Sequence, residues 1–104
     1  MTGPELQALF AEQVEIALEE MARASGFSTA EIVELVELGL FEPVGVAPGE
    51  WRFTAQHVVI ARRAGRLRAD FDLNLSGVML ALTYLARIEE LEHELHALRC
   101  QLLG

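Results

Sequence analysis

The spacing of apolar residues predicts a mostly helical chain, and its first segment allows two interpretations. The residues from Pro4 to Ala24 are strong helix formers with few stops, so propensity alone predicts one helix there. Within that segment, Val14-Glu15-Ile16-Ala17 alternates apolar and polar residues with a period of two, which is typical of a strand. A short strand leading into a helix from about Leu18 therefore competes with the single helix.

The second helix has a clear start and a clear stop in the sequence. Ser28-Thr29-Ala30-Glu31 is a capping box, in which the first and last side chains bind each other's free backbone N–H groups. Gly39 follows the helix and is the residue type that accepts a left-handed conformation there. Because only a short loop containing Ser25-Gly26 separates the first two helices, the pattern predicts a helix-turn-helix.

Residues 41–53 predict a small β-hairpin, here called the wing. Pro48-Gly49 fits the two central positions of a type II turn, and Trp51 and Phe53 alternate on one strand. Packing of these two aromatic side chains on the helices is the favoured interpretation. Thr54 then caps a third helix, whose apolar stripe is predicted to face the core and consists of Ile60, Ala64, Leu67 and Phe71.

The last helix is predicted to be long and to carry a coiled-coil seam. Asn74 resembles an N-cap, and only Gly77 interrupts the helix formers up to Leu103, which gives about 30 residues or roughly 45 Å. An isolated helix cannot bury an apolar seam along its own length. The seam therefore favours a homodimer over folding of this helix back onto its own domain, and parallel and antiparallel dimers are both open. The predicted dimerisation residues recur in steps of three and four: Tyr84, Ile88, Leu91, Leu95, Leu98 and Leu102.

The length of 104 residues fits one domain with one helical appendage. We therefore expect a winged helix-turn-helix domain with an N-terminal extension over residues 1–73, and a dimerisation helix over residues 74–104.

The single cysteine, Cys100, excludes an intramolecular disulfide and suits a reducing compartment. Without a signal-peptide pattern or an apolar run of about 18 residues, a cytoplasmic location without a membrane span is expected.

The net charge of −8, from 16 acidic residues and eight arginines, affects which kind of partner is expected. Such a surface repels phosphate backbones over a Debye length of about 8 Å, which disfavours nucleic acid and favours a basic protein surface. An ordinary solvated acidic face is the alternative interpretation. The predicted partner-binding residues are Glu31, Glu34 and Glu37 on one side of the second helix, Glu42 at the wing, and Trp51 as an anchor if it is exposed.

For the arginines and for the residues of metal-ligand type, ordinary structural roles are favoured over ligand binding. Arg62, Arg63, Arg66 and Arg68 are the one basic concentration, and pairing with the chain's own carboxylates is favoured over phosphate binding. Residues of zinc-ligand type share the outer face of the last helix, but a solvent-facing strip is favoured, so no metal or other cofactor is predicted. These residues are Glu89, His93, His96 and Cys100.

Catalysis has no residues to support it. His57 has no companion at catalytic spacing, and the Ser28 hydroxyl is engaged in capping. A glycine-rich phosphate loop and a nucleophile elbow are both missing from the sequence. The chain is therefore expected to act by binding and not as an enzyme.

The order of helix-turn-helix, wing, helix and dimerising helix resembles that of the MerR family of transcription regulators. Gly39-Leu40-Phe41-Glu42-Pro43 looks like the helix-to-wing junction of that family. More specifically, the chain resembles the family of chaperone modulatory proteins called CbpM. The matching stretches are residues 26–43, Trp51-Arg52-Phe53, residues 66–78 with the run Asn-Leu-Ser-Gly-Val, and the leucine-rich tail.

The resemblance implies both a fold and a function. Proteins of the CbpM family have a short strand before the first helix; they bind the J-domain of the curved-DNA-binding co-chaperone CbpA and inhibit its work with DnaK and its DNA binding. J-domains present a basic helix, which an acidic protein of this size would occupy competitively. Residues 1 to about 12 go beyond the family pattern. The alternative is a MerR-like DNA-binding transcription regulator, although three glutamates on its reading helix oppose base readout.

Overall fold

The structure, a computed structural model, describes residues 15–103 and has four α-helices and a two-stranded sheet in that range. The mostly helical class expected from the apolar spacing is confirmed. In chain order the elements are β1 (Glu15–Ile16), α1 (Leu18–Ser25), α2 (Thr29–Glu37), a 3-10 turn (Pro48–Glu50), β2 (Phe53–Thr54), α3 (Ala55–Phe71) and α4 (Leu75–Leu103).

The chain enters the described domain as a strand and not as a continuous helix. β1 pairs antiparallel with β2, with Glu15 opposite Thr54 and Ile16 opposite Phe53. The strand-then-helix interpretation is thus confirmed, and a single helix running through residues 15–17 is wrong. Pairing with β2 and packing of Ile16 near the buried Phe53 outweigh the helix propensity of this short segment. The predicted helical stretch before residue 15 lies outside the described residues.

The ends of α2 follow the sequence prediction. The Ser28 hydroxyl accepts from the backbone N–H of Glu31 at 3.1 Å, and the Glu31 carboxylate accepts from the backbone N–H of Ser28 at 2.9 Å. At the other end Gly39 has a φ of 93°. Its N–H donates to Val36 O, and the N–H of Leu40 donates to Leu35 O, which is the Schellman motif. Both ends of α2 are therefore fixed locally.

The wing is smaller than a regular hairpin. Val44 and Arg52 form one antiparallel pair, with backbone N···O distances of 3.1 and 2.9 Å. The type II turn predicted at Pro48-Gly49 is wrong, because this segment is a turn of 3-10 helix and Gly49 does not have a positive φ. The positive φ, 121°, is at Gly45, where a Cβ would lie 2.6 Å from Glu50 O.

The hydrophobic core lies between α1, α2, α3, the wing and the first turns of α4. In α3 the fully buried residues are Ala61 and Ala64, and the predicted core position Phe71 is wrong, since 68% of Phe71 is exposed. Phe71 lies on the same side as Ala64 but in the last turn of α3, before Asp72, where the chain turns towards α4. The largest fully buried side chains are Phe53, Met21, Ile32, Leu35 and Val78.

The helix α4 begins as predicted and then projects from the domain. Asn74 Oδ1 accepts from the backbone N–H of Gly77 at 2.7 Å, which confirms the N-cap. Val78 is buried in the core, whereas every residue from Ala86 to Leu103 is exposed. Within residues 15–103, α4 is not folded back onto the domain, and no helix there is long and apolar enough to cross a membrane.

Candidate partner-binding surface

The acidic surface, defined as Glu34, Glu37 and Glu42, is exposed. Glu34 and Glu37 lie one turn apart on α2, and Glu42 follows between α2 and the wing. None of the three forms an ion pair with any residue in the range 15–103. The buried Ile32 and Leu35 anchor the opposite side of α2 in the core, so the carboxylates of Glu34 and Glu37 are presented from a fixed helix.

Glu31, which the sequence groups with these residues, is engaged inside the molecule. One carboxylate oxygen accepts from the backbone N–H of Ser28, and the other accepts from the guanidinium of Arg68 on α3. The Ser28 N–H, together with the positive charge of Arg68, lowers the pKa of Glu31 below its usual value of 4.5 despite partial desolvation. The charge of Glu31 is therefore largely satisfied, and this residue lies at the edge of the acidic surface.

Arg68 holds several parts of the domain together. Its guanidinium carbon lies 4.2 Å from the centre of the Phe27 ring, and its Nη2 donates to Gly26 O at 3.3 Å. A second arginine of α3, Arg63, binds Glu89 of α4 at 2.5 Å. The expectation that the arginine concentration pairs with the chain's own carboxylates is confirmed for these two arginines. Arg62 and Arg66 form no ion pair within residues 15–103.

A groove lies beside the acidic surface that sequence reasoning did not find. We call it the joint groove, because it lies between α2 and the segment that joins α3 to α4. The Asn-Leu-Ser-Gly-Val run of residues 74–78 supplies Asn74, Leu75 and Ser76 to this groove. The joint groove is lined by Glu31, Glu34, Arg68, Leu73, Asn74, Leu75 and Ser76.

Trp51 belongs to the core and not to the surface. Only 9% of its surface is exposed, and its ring meets that of Phe53 edge-on with centroids 6.2 Å apart. Pairing of Arg52 with Val44 holds the neighbouring backbone in place, so the indole packs inwards. Because Trp51 is buried, it is not an exposed anchor for a partner. It packs inside the domain, as the favoured interpretation of the wing expects.

His57 has a capping role. The backbone N–H of Thr54 donates to His57 Nδ1 at 3.2 Å, and the backbone N–H of His57 donates to the Thr54 hydroxyl at 3.2 Å. The imidazole meets the rings of Phe41 and Phe53 edge-on, with centroids 5.6 and 6.0 Å away. Burial against these rings lowers the pKa of His57 below 6.5.

The seam of α4 is exposed in the single chain, and nothing in residues 15–103 covers it. Leu91 is 46% exposed, and the other seam residues are exposed to a similar or greater degree. On the outer face, Cys100 Sγ lies 3.7 Å from His96 Nε2. No group of three or more ligating side chains is close enough to hold a metal in the described part of the chain. The six seam residues are Tyr84, Ile88, Leu91, Leu95, Leu98 and Leu102.

Comparison with known proteins agrees with this geometry. The sequence model of the family described as MerR HTH family regulatory protein matches residues 16–100, which contain every described helix in whole or in large part. The arrangement of α1, α2, the wing, α3 and α4 thus defines a helix-turn-helix protein of the MerR type.

The relatives narrow the class further. The chaperone modulatory protein CbpM of Pseudomonas putida (strain W619) is 35% identical over 81 residues, which are 78% of this chain and 80% of that protein. That of P. putida (strain GB-1) is 32% identical over 89 residues, 86% of this chain and 88% of the relative. That of Coxiella burnetii (strain Dugway 5J108-111) is 32% identical over 83 residues, 80% and 78% of the two chains. The chain therefore belongs to the CbpM family of chaperone modulatory proteins.

Proposed function

We propose that this protein binds the J-domain of a DnaJ-like co-chaperone of the CbpA type and inhibits its co-chaperone and DNA-binding activities. Membership of a family whose relatives are named chaperone modulatory proteins supports a chaperone partner. The observation that carries the proposal is the acidic surface, because Glu34, Glu37 and Glu42 are exposed and unpaired among the described residues. A basic helix is the complementary partner for such a surface.

The joint groove adds contacts that charge alone does not supply. An exposed ion pair contributes only about 0.2–1 kcal/mol, so a few surface glutamates give a weak complex by themselves. The groove places the half-buried Leu73 and Leu75 and the exposed Ser76 next to Glu34. A basic helix lying across Glu34 would bury apolar area in the groove and keep its cations on the carboxylates.

Inhibition by this route is competition. A J-domain whose basic helix is covered by the acidic surface is not available to its chaperone partner, and no bond needs to be made or broken. We infer that the protein acts by binding, in keeping with relatives that are named as modulators. The cytoplasm is the proposed location.

We also propose that α4 forms a homodimer through its six seam residues, with residues 1–73 as the partner-binding domain and residues 74–104 as the dimerisation helix. A stripe of large apolar side chains, each about half exposed or more, supports this arrangement. Each dimer would carry two acidic surfaces.

The proposed function is tested by titrating the purified protein into an isolated J-domain by isothermal calorimetry at low and at physiological salt. We expect saturable binding that weakens as salt rises, because salt screens exposed charges. A J-domain that gives no heat and no shift in size-exclusion chromatography at either salt would refute the proposal. Duplex DNA in the same assay tests the alternative of a DNA-binding regulator, which requires binding with a steep inverse salt dependence.

A further inference from the structure

Three arginines from two helices meet in one cleft on the described surface. Arg23 lies in the last turn of α1, and Arg62 and Arg66 lie one turn apart on α3. The cleft is open and has a volume of about 630 Å³. We call it the arginine cleft; it is also lined by Ala24, Ser25, Gly26, Gly65, Ala69 and Asp70.

The close approach of α1 and α3 creates this cleft. A Cβ on Gly65 would lie 2.5 Å from Ser25 O, so only glycine lets the backbone of α3 come this near to the end of α1. Ala61 and Ala64, also small residues of α3, are fully buried. The two helices therefore bring Arg23, which is about 40 residues away in sequence, beside Arg62 and Arg66.

The positive charge of the cleft is not neutralised by the described part of the chain. Arg63, Arg68 and Arg87 each form an ion pair, whereas Arg23, Arg62 and Arg66 form none within residues 15–103. Asp70 is the single carboxylate among the lining residues, and it too is unpaired in that range. Three cations against one anion leave the cleft with a local charge of +2 in a chain whose net charge is −8.

We propose that the arginine cleft binds a short acidic peptide segment of a protein partner. Guanidinium groups bind carboxylates through paired N–H···O bonds, and several of them on one cleft select a segment with two or three carboxylates. A short segment needs to match only the cleft. A long polyanion such as duplex DNA would also face carboxylates outside the cleft, which repel it in a chain with a net charge of −8.

The arginine cleft is separate from the acidic surface in position, and the two carry opposite charge. The acidic surface belongs to α2 and the segment after it, whereas the arginine cleft belongs to α1 and α3. A protein with both surfaces can hold a partner that presents a basic helix and an acidic segment, or two partners at once. The inference does not depend on J-domain binding.

The test measures fluorescence anisotropy of a labelled peptide of alternating Asp and Glu with the full-length protein. A peptide of Asn and Gln in the same order and a duplex DNA of about 20 base pairs serve as comparison probes. We expect the acidic peptide to bind saturably, and the neutral peptide not to bind. Arg62→Gln combined with Arg66→Gln should weaken acidic-peptide binding by about tenfold or more.

A matched control has the same loss of two positive charges away from the cleft: Arg52→Gln combined with Arg99→Gln. It should keep the affinity within about twofold of the unaltered protein, since neither residue lines the cleft. Equal losses in both double variants, or no saturable binding of the acidic peptide, would overturn the proposal. Tighter binding of the DNA, lost only in Arg62→Gln with Arg66→Gln, would assign the cleft to nucleic acid instead. Circular dichroism confirms that each variant is folded.

Discussion

Arg68 on α3 binds the carboxylate of Glu31 on α2 while its guanidinium lies over the ring of Phe27. One side chain therefore connects the turn of the helix-turn-helix to the start of α2 and to α3. Only part of either charged group is exposed, so the pair is less screened than a fully solvated one.

Replacing Arg68 with alanine should reduce the free energy of unfolding by about 1–2 kcal/mol, from the lost ion pair and the lost cation–π contact. Urea denaturation followed by circular dichroism measures this change. Arg66→Ala is the matched control, because Arg66 is exposed and forms no ion pair in residues 15–103. If the two variants are equally stable, the Arg68 contacts do not contribute to stability.

Charge reversal on the acidic surface separates Glu34 and Glu37 from the internally engaged Glu31. Glu34→Arg with Glu37→Arg should weaken J-domain binding by at least about tenfold, because attraction becomes repulsion at two positions. Calorimetric titration gives the affinity.

The control for that reversal is Glu19→Arg with Glu50→Arg, which also changes two exposed glutamates. Both double variants take the net charge from −8 to −4, because each Glu→Arg substitution changes the charge by +2. An equal loss of affinity in the two variants would show that overall charge, and not the acidic surface, determines binding.

The stability of the domain should depend on His57 at mildly acidic pH. Burial lowers the pKa of His57 below 6.5, so the unfolded chain takes up a proton at a higher pH than the folded one does. The stability that neutral His57 contributes is complete above pH 6.5 and decreases as the pH falls towards the lowered value. Protonation also removes Nδ1 as the acceptor for the Thr54 N–H.

Urea denaturation between about pH 7 and pH 5 tests this dependence. The unaltered protein should lose more stability over that range than His57→Gln, whose amide oxygen can still accept the capping bond without titrating. His93→Gln, at an exposed histidine of α4, should behave as the unaltered protein does. Parallel pH profiles for all three proteins would exclude His57 as the source. Glu31, whose pKa is lowered from 4.5, affects stability only at lower pH.

Sequence reasoning succeeded where structure is decided by neighbouring residues. The caps at Ser28, Thr54 and Asn74 depend on bonds over three residues, and all three were predicted. It failed where packing between distant segments decides the outcome. The wing turn adopts a 3-10 conformation, and Phe71 is exposed although its period matches that of Ala64.

The same distinction explains the candidate site. Residue type and helical period indicated the acidic surface, but not that Glu31 binds Arg68, which is 37 positions away. The arginine cleft likewise needs Arg23 and Arg62 in one place, and that follows from how closely α1 and α3 approach through Gly65. A glycine within a helical pattern carries no information about which helix it contacts.

Dimerisation through α4 gives a prediction about oligomeric state. Leu91→Asp with Leu95→Asp places four carboxylates in the seam of a dimer and should give a monomer in sedimentation-velocity ultracentrifugation. The control is His93→Asp with His96→Asp on the outer face of the same helix, which should leave the dimer intact. An unaltered protein that sediments as a monomer at about 50 μM would reject the seam as an interface.

The projecting part of α4 also determines where two copies of the domain would stand. From Ala86 to Leu103 every residue of the helix is exposed, and beyond Glu89, which binds Arg63, the helix extends for roughly 21 Å. In a parallel pair of α4 helices the two domains would lie side by side at one end of the coiled coil, so partners bound to the two acidic surfaces would be close to each other. In an antiparallel pair the coiled coil separates them, so two bound partners would not collide.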